Sequence, residues 1–327
     1  MRPLTRFARP AAGLLILTAL SGCDNVEWGG ADIEIVPPPP QASLIPVETD
    51  EEGVAQFGLP AGPVLFHLEQ TAAGSHLVPV AELSGDSLRT LQRPAGVEEA
   101  AFEARFRETV LPQGAQFDIF RRGAMVGTFV VQAPGAVTPC GLPTAMGNAT
   151  VVAAAADAPE FIAFRRGLGP EGKGEYTPLQ INGSIRTYAS IVAEKLILQA
   201  GLPRPRSWTG AQRDLQPVEI AQGANLEMVA TYLVGDSVAV GPADPQGYSV
   251  FYIADYETRR GYSPVYSEVR DYRRAGKGAP VLIDYMDWNE DQRAELLVRV
   301  YGRGQSWYEA IAQGDGRWTK AWEGSRC

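Results

Sequence analysis

Glu295-Leu296-Leu297-Val298-Arg299-Val300-Tyr301, Ser306-Trp307-Tyr308-Glu309-Ala310-Ile311-Ala312 and Arg317-Trp318-Thr319-Lys320-Ala321-Trp322 follow one another near the C-terminus, and their reading decides the fold class. The first segment alternates apolar positions and carries two Val, a pattern that suits a pleated, half-buried strand. The last two flank Gly314-Asp315-Gly316, which suits a tight hairpin turn. The reading is an antiparallel meander that ends at Cys327.

The same pattern extends toward the N-terminus. Met228 to Val234, Tyr248 to Tyr256 and Val281 to Tyr285 read as further strands. In the first half, Gly53 to Phe57, Val64 to Leu68, and a hairpin of Phe117 to Phe120 with Gly127 to Val131 about Gly123 read the same way. Helices are few. Phe102, Phe106 and Val110 recur every four residues within Val97 to Val110, which is expected to lie over the sheet. A second helix is expected to start at Ser184 as N-cap and stop at Gly201, with Ile185, Tyr188, Val192 and Leu196 on one face. Pro159 to Arg166 is read as a short third helix.

The fold class is therefore mainly β with a few helices, α+β, in two β-rich units built as antiparallel meanders. The expected divisions are 1–22, a leader; 23–45, a tether; 46–140, an N-terminal β-rich domain; 141–216, a helix-containing connection; and 217–327, a C-terminal β-meander domain. The chain of 327 residues leaves 305 after the leader, enough for two compact units. The phrases Thr49-Asp50-Glu51-Glu52-Gly53 and Phe57-Gly58-Leu59-Pro60-Ala61-Gly62 resemble a fragment of transthyretin-like, carboxypeptidase-regulatory sandwiches. No period of 20 to 50 residues repeats, so a propeller or solenoid is unsupported.

The leader is read from Arg2, Arg6 and Arg9, an apolar run from Ala11 to Leu20, and Leu20-Ser21-Gly22-Cys23. The ten-residue run is about half the roughly 20 residues that span a bilayer, which favours a signal over a transmembrane helix. The motif resembles the lipobox of bacterial lipoproteins. That resemblance implies cleavage before Cys23, lipidation of Cys23 and acylation of the freed amine, and hence an anchored membrane protein facing the extracytoplasmic side. Asp24 resembles the signal for retention in the inner membrane, facing the periplasm; the outer membrane is the alternative. From Asp24 to Ile45, Gly29-Gly30 and Pro37 to Pro40 make an extended tether.

The 29 basic and 38 acidic residues give −9, and the leader removes three Arg and no acid, so the rest carries −12. Such a surface repels phosphate backbones, and no nucleic-acid partner is expected. Cys140 and Cys327 are the cysteines left outside the leader. In an oxidising compartment they can pair. The bridge would close about 190 residues, with a chain-entropy ceiling of roughly 5 kcal/mol; two unrelated thiols are the alternative.

One local constellation carries chemistry: Asp287-Trp288-Asn289-Glu290-Asp291-Gln292-Arg293-Ala294-Glu295. Oxygen side chains at the first, third, fifth and ninth positions can converge on a hard cation, with a backbone carbonyl completing the shell. It resembles the aspartate-rich calcium loops of integrin-type, FG-GAP-like repeats. Carried over by position, the resemblance makes Asp287, Asn289, Asp291 and Glu295 side-chain ligands and Arg293 a carbonyl ligand, with calcium as the cofactor. The departure is Gln292, where those loops place Gly; a side chain at positive φ costs about 1 to 2 kcal/mol. The alternative is a helix capped by Asn289, with Ala294, Leu297, Val298 and Tyr301 as its buried face.

Other chemistry is thin. Gly167-Leu168-Gly169-Pro170-Glu171-Gly172-Lys173-Gly174 has phosphate-loop spacing but Gly where Ser or Thr belongs, and reads as a flexible loop. His67 reads as a packed strand residue, and His76 lies in a Gly-Ser loop. Neither has the neighbours of a zinc site. No Gly-x-Ser-x-Gly elbow occurs. Acidic pairs such as Asp284 with Asp287 are the only support for glycosidase work. Trp307, Tyr308, Trp318 and Trp322 read as cross-strand core, or as a platform for a glycan or envelope protein if they face outward. The expected role is non-catalytic binding or structure in the cell envelope, with an envelope hydrolase as the alternative.

Overall fold

The computed structural model describes residues 57–72, 74–221 and 225–327; the leader, Cys23, the tether and the Gly53 to Gln56 segment lie outside them. Fifteen strands run through the described residues. The first seven are β1 (Val64–Thr71), β2 (Gly74–Ser84), β3 (Ser87–Thr90), β4 (Gln116–Arg121), β5 (Ala124–Val137), β6 (Pro143–Val151) and β7 (Glu160–Arg165). They pair antiparallel in the order β1-β7-β4-β5-β6-β2-β3, and β1 also pairs with β2. That last pairing closes six strands into a barrel and leaves β3 as an extension. Closure removes open edges and forces strands to coil tightly. Gly127 and Gly147 fit this need: a Cβ at either would overlap the carbonyl oxygen of Thr150 or Val130 on the paired strand.

Alternation fills the barrel. Phe66, Leu68, Phe117, Ile119, Phe129 and Phe161 form its core, and helix α1 (Glu99–Thr109) adds Phe102 and Phe106, each 1% exposed. The intervening residues Leu65, Phe120, Ile162 and Phe164 point the other way and are buried too. Because β7 is covered on both faces, its run Phe161-Ile162-Ala163-Phe164 is apolar throughout. The segment Glu160–Arg165 is therefore a strand and not the expected helix: six apolar-rich residues cannot distinguish the two by periodicity.

The rest of the chain makes two four-stranded meanders. β8 (Gln212–Val218), β9 (Glu227–Val234), β10 (Tyr248–Glu257) and β11 (Gly261–Asp271) form one; β12 (Ala279–Met286), β13 (Glu295–Tyr301), β14 (Ser306–Gly314) and β15 (Arg317–Glu323) form the other. Helix α2 (Gly183–Gln199) packs on the first meander through Ile185, Ala189, Val192 and Leu196. Its N-cap is Asn182, whose Oδ1 accepts from Ile185 N at 2.9 Å, two residues ahead of the expected Ser184. Tyr252 fixes the helix by donating to the Ala189 carbonyl at 2.7 Å.

The opposite face of that meander presents Val229, Phe251 and Ile253 to Leu282, Leu296, Val298 and Trp307 of the last sheet. The last sheet in turn presents Ile283, Met286, Leu297 and Ala310 to the outer face of the barrel. The layers thus run helix α2, first meander, last meander, barrel, with buried apolar contacts at each interface and charged pairs as well between last meander and barrel. The described residues fall in one compact unit. The barrel takes strands from both sides of residue 140, and the segment 141–216 divides between the barrel and the first meander. The hairpin at Asp315 and Gly316 has positive φ at both residues, 50° and 72°, as a type I′ turn requires.

Cys140, in the turn between β5 and β6, pairs with Cys327 with Cα atoms 5.2 Å apart. Cys327 also exchanges backbone hydrogen bonds of 2.8 and 3.1 Å with Ser306. The chain end is tied to both β14 and the barrel. Trp307 and Trp318 are buried toward the first meander, while Tyr308 and Trp322 pack toward the barrel. The aromatic group is core on both faces and presents no outer platform.

Candidate functional site

Met286 and Glu295 are register partners at the ends of β12 and β13, so the loop between them starts and finishes at buried, fixed points. Trp288, 5% exposed, anchors it in the seam with the barrel. Its backbone takes positive φ at Glu290, 61°, and at Gln292, 73°. Gln292 is thus left-handed, as a calcium-type loop demands at that position, despite the cost to a side chain. No helix forms here: β13 is a strand and Asn289 accepts from Asp291 N at 3.0 Å in a local turn.

The folded loop gathers the carboxylates of Asp287, Asp291 and Glu295, with ligand atoms all within 4.8 Å of one another. Asp291 accepts from Arg293 N at 2.8 Å, Glu295 from Trp288 N at 3.1 Å, and Asp287 Oδ2 from Gln292 N at 2.9 Å. Asp287 Oδ1 is buried with no hydrogen-bond partner. An orphaned carboxylate oxygen is costly unless a cation or donor meets it. Burial pushes the Glu295 carboxyl up to about 8, with Asp291 and Asp287 adding to the shift. Hard oxygen donors of this kind fit a hard divalent cation. Of the remaining expected ligands, Asn289 turns its side-chain oxygen to the Asp291 amide, and the Arg293 side chain reaches Gln313 Oε1 at 2.7 Å.

A side-chain cation on the site was not found by sequence reading. Lys173, from the glycine-rich stretch, places its ammonium on Asp287 Oδ2, and its own amide donates to the Gly123 carbonyl at 2.9 Å. The glycine-rich stretch is therefore a strap between the barrel hairpin and the acidic loop. The sequence reading sets aside the phosphate-loop spacing, takes the stretch as a flexible loop and gives Lys173 no role.

Beside the loop opens a cleft of about 770 Å³ whose lining includes Arg122, Lys173, Tyr176, Ile220, Tyr285 and Asp287. A volume of this size suits a small-molecule ligand. Another group of titratable residues lies in and beside the seam between barrel and last sheet. His67, fully buried, holds Tyr308 OH at 2.9 Å from Nδ1 and Glu160 Oε1 at 3.7 Å from Nε2. Burial drives His67 down to about 3, so it is neutral. Burial also pushes Glu160 to about 7 and Asp214 to about 6. None of these groups lines the cleft. Asp284, paired with Arg121 in the seam, does not join Asp287 across an opening.

No protein-family model, curated protein or solved structure matches this chain.

Proposed function

We propose that the chain is a lipid-anchored envelope protein whose folded part is a non-catalytic binding module, with calcium held by Asp287, Asp291 and Glu295. The observation that carries the reading is the orphaned Asp287 Oδ1 within a carboxylate trio on a left-handed loop. Three acids brought this close repel one another, and a divalent cation would offset that repulsion and satisfy the bare oxygen. The ion would brace the β12–β13 connection at the mouth of the cleft. The anchoring reading draws on the lipobox at Cys23. The Cys140–Cys327 pair, which suits an oxidising compartment, agrees with it. The cleft lining holds no histidine or cysteine among the described residues, which favours binding over hydrolysis.

The test is thermal unfolding of the full chain in detergent, in EDTA and across a calcium titration, beside Asp287→Asn and Asp291→Ala. Calcium should raise the wild-type midpoint, because a ligand bound only to the folded form stabilises it by about 2.7 kcal/mol at 100 times Kd. Both variants should lose the rise. No shift at millimolar calcium would return the loop to an ordinary turn. For the anchor, Cys23→Ala should abolish acyl labelling and release the protein from membranes.

A further inference from the structure

Residues 170–181 run without regular secondary structure, and among the described residues Lys173 makes both hydrogen bonds that tie them to the rest of the chain. Its amide donates to the Gly123 carbonyl at 2.9 Å, and its ammonium sits on Asp287 Oδ2. Gly172 permits the first of these contacts, since a Cβ there would lie 2.8 Å from Met125 N. The hold is narrow for the length it secures. Gly172 and Gly174 flank the lysine, and glycine loses the most freedom on ordering, so the fastened state depends on Lys173 itself. Tyr176, partly buried against the barrel core, is the next hold along the chain. The same segment walls the cleft: Glu171, Lys173, Glu175 and Tyr176 line it together with Asp287 and Gln292 of the acidic loop, and the Lys173–Asp287 pair joins the two.

From this we infer that the strap is a latch released by calcium: Lys173 is the resident cation of the acidic loop, and a divalent ion entering the carboxylate trio expels it and frees this wall of the cleft. The inference rests on the reading of the trio as a cation site. The Asp287 side chain is 8% exposed, with Oδ2 under the ammonium and Oδ1 bare. An ion that meets Oδ1 therefore stands one carboxylate away from a like charge. Repulsion at that spacing exceeds what a half-exposed ion pair contributes, so the ammonium leaves. Leaving is easy, because the Lys173 side chain is already 53% exposed, and Glu171 and Glu175 line the same cleft to receive its charge. Asp287 stays in place meanwhile, since Gln292 N also donates to Oδ2 at 2.9 Å. The coupling is reciprocal: whatever holds the strap on the loop weakens the ion, and whatever frees the strap strengthens it.

The experiment is amide hydrogen exchange, read by mass spectrometry, on the full chain in detergent, in EDTA and in millimolar calcium, with unfolding midpoints taken on the same samples. Calcium should speed exchange across residues 171–177 by about 3- to 10-fold, the range set by losing an exposed ion pair and then opposing it with a like charge. Strands β12 and β13 should exchange no faster. Lys173→Met should already exchange this segment about 2- to 5-fold faster than wild type in EDTA, with no further change in calcium. Lys173→Arg keeps the charge, so its segment should remain slow in EDTA and quicken in calcium. A midpoint that rises with calcium while the strap exchanges no faster would overturn the latch and leave the cation site standing. Wild-type exchange in Lys173→Met in EDTA would overturn it as well, because the ammonium would then hold nothing. A midpoint that does not move with calcium would overturn the cation reading itself, and the latch with it.

Discussion

Arg121 of the barrel and Asp284 of the last sheet face each other at 3.6 Å across the seam that joins the two, with Asp284 1% and Arg121 9% exposed. Arg121 also donates to the carbonyls of Glu160 at 3.0 Å and Ile283 at 2.7 Å, and Asp284 accepts from the amides of Arg122 and Tyr285. Burial pushes the Asp284 carboxyl up, against the pull of Arg121. A pair so placed adds little net stability over an apolar seam, but half of it is costly. Asp284→Ala should destabilise the fold by about 3 to 5 kcal/mol, because it leaves a buried guanidinium uncompensated. The double change Arg121→Met with Asp284→Leu should recover most of that loss in chemical unfolding. A double variant as unstable as the sum of its singles would show that the two residues do not act as a pair.

The second prediction concerns the chain end. The Cys140–Cys327 bridge spans 187 residues and ties the end of the chain to a barrel turn. Loop-closure entropy gives a ceiling of roughly 5 kcal/mol for a bridge of this length. Cys327→Ser should lower the midpoint markedly, and reduction should do the same to the wild type while leaving the variant unmoved. Equal midpoints for oxidised wild type and variant would mean that the β14 backbone contacts alone hold the terminus.

How much of this could be read from the sequence varied with the range of the interactions. The strands β14 and β15 were legible because their alternation flanks local turn chemistry at Asp315-Gly316, and β9, β10, β12 and β13 because β-branched and aromatic residues mark them without strict alternation. The barrel was not, because its closure rests on β1 pairing with both β2 and β7, and the second of these joins segments about 90 residues apart with nothing local to announce it. The two-sided burial of Phe161 to Phe164 erased the alternation that marks a strand. In the site, Asp287, Asp291 and Glu295 were visible from spacing, since the loop supplies them from one segment. Arg122 and Lys173 were not, because they reach the cleft from a hairpin tip and a strap that only the tertiary fold brings there.

The third prediction is a pH dependence. Burial, aided by Glu69 and Asp214 and opposed by Arg299 and Arg121, raises Glu160 from its ordinary 4.5 to about 7. The folded form therefore holds this proton more tightly than the unfolded form. The resulting stability is present below pH 4.5 and is lost as pH rises to about 7. His67, lowered to about 3, contributes the opposite slope below its ordinary value, but does so in wild type and variant alike. Glu160→Gln should thus gain stability relative to wild type steadily from pH 4.5 to 7 and hold a constant difference above it. Parallel stability curves for the two proteins would refute the raised value.

Gln292 gives the fourth. It adopts φ of 73° in the acidic loop, a conformation in which Gly carries no Cβ penalty. Gln292→Gly should relieve about 1 to 2 kcal/mol of native strain, less the extra chain entropy that Gly brings to the unfolded state. In the calcium titration the variant should bind at least as tightly as wild type, because the loop is held in the ligating conformation more cheaply. A variant that loses the calcium response would place the Gln292 side chain in the site and contradict a purely backbone role.

The last concerns Lys173, whose ammonium sits on Asp287 Oδ2, on the same carboxylate whose bare Oδ1 a metal would meet. The side chain is 53% exposed, so the pair is screened and worth under about 1 kcal/mol in the metal-free protein. Its effect on a divalent cation is of the opposite sign, since a positive charge on a ligand carboxylate repels the ion. Lys173→Met should therefore lower the unfolding midpoint slightly in EDTA and raise the apparent calcium affinity by about tenfold, equivalent to ~1.4 kcal/mol of repulsion removed. The two curves should cross as calcium is added, with the variant the more stable at saturation if the ion fully replaces the ammonium. A variant less stable at every calcium concentration, with unchanged affinity, would mean that Lys173 and the cation never compete for Asp287, and that the strap serves only to fasten the barrel hairpin to the loop.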